Sequence, residues 1–63
     1  NPRQHDTFAQ RVRLSPEAQR ECRQLDSQLP ALEQIERQAS GAELTAVQRR
    51  LFALRSRFRE LGC

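Results

Sequence analysis

The sequence predicts an all-α fold, an antiparallel helical hairpin closed by a disulfide. Three observations carry that prediction. Leu44, Val47, Leu51, Leu54, Phe58 and Leu61 recur at spacings of 3, 4, 3, 4 and 3, one unbroken apolar stripe on a helix. Ala18, Cys22, Leu25, Leu29, Leu32, Ile35 and Ala39 make a second stripe, at spacings of 4, 3, 4, 3, 3 and 4. Ser40-Gly41 between them leaves room only for a short turn, which turns the second helix back along the first.

With 63 residues the chain is one domain at most, of a size at which a single core is marginal. Only 37% of it is apolar and 30% is charged, so most of its surface must be solvated. No run approaches the ~18 apolar residues of a membrane span. The chain begins at Asn1 rather than Met, so the lack of a signal peptide in it is uninformative.

Residues 1–14 form a lead-in with no sustained period. Two readings stay open for it: a short helical turn capped by Asp6 that groups Phe8 with Val12, or a disordered tail. His5, the single histidine, reads as a solvated tail residue with no ligand set around it. Residues 15–63 form the hairpin.

Ser15-Pro16-Glu17 is a strong helix start. Serine caps, proline sits where its missing N–H costs nothing, and the acid meets the positive end of the helix. Pro30 interrupts the first stripe, removing the N–H that would bond the Asp26 carbonyl and crowding that turn. Leu25, Leu29 and Leu32 nevertheless keep register across it, which predicts a kinked but continuous helix. Gly41 is available for a left-handed position at its end. Two capping boxes compete to start the second helix, Ser40 with Glu43 and Thr45 with Gln48. Gly62 stops it before Cys63.

One antiparallel register brings Cys22 level with Leu61, Leu25 with Phe58, Leu29 with Leu54 and Leu32 with Leu51. Both cysteines then lie at the open end of the hairpin, which predicts a Cys22–Cys63 disulfide. Closing a loop of that length is worth about 4 kcal/mol of chain entropy. The same register lets Asp26 and Glu33 bracket Arg55. A catalytic thiol pair is not indicated, because C-x-x-C spacing is absent. A structural disulfide places the chain in an oxidising compartment, the bacterial periplasm or another exported location.

The net charge of +3 comes from eleven arginines and no lysine. Residues 1–14 carry +2, residues 16–39 carry −2 and residues 42–61 carry +3, so an acidic helix faces a basic one. Arg49, Arg50, Arg55, Arg57 and Arg59 form a basic face with two readings: a grip on phosphates, or a solvated surface that balances the acidic helix. The second is preferred, and a small nucleic-acid-binding helical protein is the alternative. There is no Gly-rich phosphate loop, metal-spaced ligand set, nucleophile–base pair or paired-carboxylate site, so neither enzyme chemistry, cofactor nor metal is expected.

Leu44-Thr45-Ala46-Val47-Gln48 resembles the LTxxQ motif of the Spy/CpxP family, small all-helical periplasmic proteins that dimerise. Members act as stress chaperones or sensor-associated regulators. The resemblance covers five residues; it implies a periplasmic helical protein with a chaperone-like or regulatory role. This chain departs from the family in having one motif copy, a shorter helical region and a predicted disulfide that the motif does not require.

The expected function is therefore a non-catalytic protein-interaction module. One stripe against another leaves flanking apolar residues partly uncovered, so Phe8, Ile35 and Phe52 are the expected interaction residues. A homodimer of two hairpins in a four-helix arrangement is the expected assembly.

Overall fold

The structure, a computed structural model, describes residues 11–63. Two helices fill most of it: α1, Pro16–Gln38, and α2, Gly41–Leu61, packed antiparallel along one seam. Arg11 and Val12, also helical, precede them, and the Leu14 N–H donates to the Arg11 carbonyl at 3.0 Å. Phe8, His5 and Asp6 lie outside the described residues.

α1 starts as its sequence requires. The Ser15 side chain accepts from the Ala18 N–H at 3.1 Å, and Pro16 occupies the first helical position. The Gln19 amide donates to the Leu14 carbonyl at 3.0 Å, tying the preceding residues to the helix start. The helix runs unbroken through Pro30. Pro30 is exposed, so its ring meets water rather than the partner helix. Asp26, whose carbonyl loses its helical partner to the proline, is an exposed residue too, so that turn of the helix lies on the wet face.

The turn between the helices departs from the expected capping. Ala39 and Ser40 are extended, and Gly41 opens α2 at φ +59°, a left-handed conformation that favours glycine. Ser40 holds the N-cap position, but its side chain makes no capping bond. Thr45 lies within the helix, and its hydroxyl donates to the Gly41 carbonyl at 3.4 Å. The turn is thus made by glycine backbone geometry, with Glu43 adding favourable charge in the first turn.

The far end of α2 closes differently. Gly62 sits at φ +81°, its N–H donates to the Arg59 carbonyl at 3.1 Å, and the Cys63 N–H donates to the Phe58 carbonyl at 3.3 Å. Those two bonds form a Schellman turn, which satisfies the last carbonyls and folds the chain back toward α1. Cys63 there joins Cys22 in a disulfide with Cα atoms 5.8 Å apart.

Among the described residues only Cys22, Leu25, Leu51 and Cys63 are buried. Leu29, Leu32, Leu44, Val47, Leu54, Phe58 and Leu61 line the same seam half-buried. Ile35 does not join them and is 44% exposed. Two successive three-residue steps, Leu29 to Leu32 to Ile35, fall about 120° short of two full turns. Ile35 is therefore carried off the seam, and Glu36 and Ala39 continue it half-buried.

The two helix starts should respond differently to the same change. Ser15→Ala removes a formed cap and is expected to cost about 1 kcal/mol. Ser40→Ala removes no side-chain bond and is expected to cost a few tenths at most. Urea unfolding of the oxidised protein compares them, and equal losses would contradict the assignment.

Candidate interaction surface

The disulfide fixes the open end. Cys22 is wholly buried and Cys63 is 8% exposed, so the cystine supplies two of the four buried residues among those described. Leu14 packs toward Gly62: a Cβ built there would lie 3.8 Å from the Leu14 Cδ2 atom, an ordinary contact. An alanine at 62 thus has room, and its penalty comes from the positive φ alone.

Ion pairs mark the two edges of the seam. On one edge Arg57 grips Glu21 with two hydrogen bonds, Nε to Oε1 at 2.7 Å and Nη2 to Oε2 at 3.0 Å. Arg57 also lies 3.6 Å from Glu60, one turn on. On the other edge Arg55 reaches Glu33 at 3.5 Å. Asp26 does not share in bracketing Arg55. It is held instead by Arg11, with Nη1 to Oδ2 at 2.7 Å and Nη2 to Oδ1 at 2.8 Å. Residues 11–14 lie against the start of α1, and a two-pronged guanidinium contact is the stronger geometry for a carboxylate. The Glu21–Arg57 clamp was not apparent in the sequence, although the register left both residues on the same edge.

Hydrogen bonding from Arg57, and secondarily its charge, holds the Glu21 carboxyl below the usual glutamate range. The Arg57 guanidinium is correspondingly raised, chiefly by its hydrogen bond to Glu21. Arg11 is raised in the same way by Asp26.

The expected interaction residues do not form one patch. Phe52 is 70% exposed and stands one turn before Arg55, on the Glu33–Arg55 side. Ile35 lies two and four turns from Gln28 and Glu21 along the opposite edge, the side of the Arg57 clamp. Val12, 62% exposed, is a third uncovered apolar residue, which the sequence grouped only with Phe8.

The five arginines of α2 are likewise dispersed. Arg50 and Arg57 share one edge, Arg55 and Arg59 the other, and Arg49 the outer surface, as their helical spacing requires. Arg55 and Arg57 are engaged by carboxylates of α1, and Arg59 donates to the Ser56 hydroxyl at 3.4 Å. The LTxxQ-like residues occupy the first turns of α2: Leu44 and Val47 face the seam half-buried, while Ala46 and Gln48 are exposed.

Among the described residues, no group of three or more His, Cys, Asp or Glu side chains is placed to hold a metal ion. No described helix is long and apolar enough to cross a membrane. No protein-family model, no curated protein and no solved structure matches the chain.

Two predictions test the site. Reductant should lower the melting temperature substantially, because it frees a loop of 41 residues worth about 4 kcal/mol. Gly62→Ala in the oxidised protein should cost a further 1–2 kcal/mol or so, from the left-handed backbone alone. Superimposable melting curves with and without reductant would contradict the first; an unchanged urea midpoint would contradict the second.

The Glu21 clamp predicts a pH dependence. A carboxyl depressed in the folded state stabilises fully above its unfolded pKa, about 4.3, and that stability is lost as pH falls through the lower folded value. Glu21→Gln should therefore flatten the acid limb of the stability curve below about pH 4.3. Chemical denaturation across that range checks it, and an unchanged acid limb would count against the clamp.

Proposed function

We propose that this chain is a non-catalytic helical protein-interaction module of an oxidising, exported compartment, most simply the bacterial periplasm. It works as a homodimer in a four-helix arrangement and serves a chaperone-like or regulatory role. The observation that carries this reading is the half-covered seam. Seven apolar seam residues stay only partly buried in the hairpin, and Ile35, Phe52 and Val12 are exposed beyond it. A second helical surface laid along one edge of that seam would add to a core that one hairpin leaves thin.

The buried cystine supports the oxidising compartment, since such a bond persists where thiols are not kept reduced. The resemblance to the LTxxQ proteins points the same way. Dispersal of the arginines over both edges and the outer surface weighs against the nucleic-acid alternative, which needs them gathered along one groove or stripe.

Light scattering and a binding titration test the reading together. A dimer is expected at micromolar concentration, with no binding to a mixed-sequence oligonucleotide by fluorescence anisotropy at low salt. Micromolar oligonucleotide binding would favour the alternative if it fell ~10³-fold or more between 50 and 200 mM salt. It should also be lost with Arg49→Ala/Arg50→Ala. A monomer that keeps full helicity at high micromolar concentration would remove the dimer.

A further inference from the structure

The two edges of the hairpin are not equivalent. The Phe52 edge carries Glu33–Arg55 near its middle and Arg11–Asp26 toward the open end, so ion pairs line it. The Ile35 edge is clamped only at the open end, by Glu21–Arg57. Toward the turn it presents exposed Ile35, half-buried Leu32 and Ala39, and exposed Ala46 with half-buried Val47 of α2.

Two opposite charges border this apolar stretch. Glu43 and Arg50 are exposed, lie two turns apart on the same side of α2, and make no ion pair with another described residue. A pattern with an acid at one end, a base at the other and small apolar residues between is self-complementary under a two-fold axis.

Resting on the homodimer reading above, we propose that the turn-end half of the Ile35 edge is the surface on which a second copy of this chain docks. The two α2 helices run antiparallel and cross at Ala46–Val47. Arg50 meets Glu43 of the partner subunit, and its counterpart completes the symmetric pair. The alanine methyl at 46 lets the helices approach closely, and the Ile35 side chains of both copies flank the crossing in the desolvated centre. The Phe52 edge stays in solvent in this assembly.

Analytical ultracentrifugation of oxidised protein, with helicity followed by circular dichroism, tests the surface. Ile35 is exposed in the single hairpin, so Ile35→Arg should leave the fold intact and weaken the dimer at least about tenfold. Phe52→Arg should leave the dimer unchanged. Arg50→Glu should weaken it, and Arg50→Glu/Glu43→Arg should restore it, a rescue that a merely structural role for either residue would not produce. A wild-type dimer that survives Ile35→Arg but is broken by Phe52→Arg would overturn this surface and leave self-association standing. A dimer indifferent to Arg50→Glu would overturn the crossing point. A wild-type monomer at high micromolar concentration would overturn both the surface and the dimer.

Discussion

The fold depends on one covalent constraint, the link between Cys22 and Cys63, and on the backbone turn that makes the link reachable. α2 ends at Leu61, two residues short of Cys63, and the backbone between them leaves the helix. The left-handed Gly62 reverses the backbone, so that Cys63 falls back against α1 and its N–H still finds the Phe58 carbonyl. Capping and cross-linking are thus one event. The cystine also supplies two of the four buried residues among those described, so the bond that lowers the entropy of the unfolded chain fills the core of the folded one.

That arrangement explains why so thin a hydrophobic seam suffices to hold register. Leu25 and Leu51, buried at separate points along the helices, are joined by leucines that remain half-wet. Ion pairs on both edges then bias the rotation of one helix on the other. Glu21–Arg57 and Glu33–Arg55 lie on opposite sides of the seam, so each opposes rolling toward the other. Exposed pairs add little stability, and their worth here is directional.

The helices, their packing against each other and the disulfide were legible because each rests on spacing, and spacing survives without coordinates. Apolar periodicity located both helices, and the same register that paired Leu25 with Phe58 brought the cysteines together. What misled was local chemistry with more than one solution. Ser40 and Thr45 each fit a capping box, yet the turn is set by the positive φ of Gly41, and neither side chain caps. Asp26 had a plausible partner in Arg55, but Arg11 takes it, and the irregular lead-in gave no sign of where Arg11 would lie. Ile35 stood both in the apolar stripe and among the residues expected to stay partly uncovered, and its step of three from Leu32 takes it to the edge.

That displacement of Ile35 has consequences beyond bookkeeping. Had the step been four residues, the isoleucine would stand where Glu36 now lies half-buried, and the hairpin would close over its own turn end. The spacing instead puts a carboxylate at the seam and an aliphatic side chain on the edge, which a solitary hairpin gains nothing from. Polar groups at a seam and apolar groups beside it are the opposite of what monomer stability asks for. The mismatch is coherent if the Ile35 edge is itself covered. The hairpin's own seam then needs only to be good enough to present that edge, and the cystine at the far end makes up what the seam lacks. On that proposal the division of labour runs along the long axis: covalent closure at the open end, a contact surface at the turn.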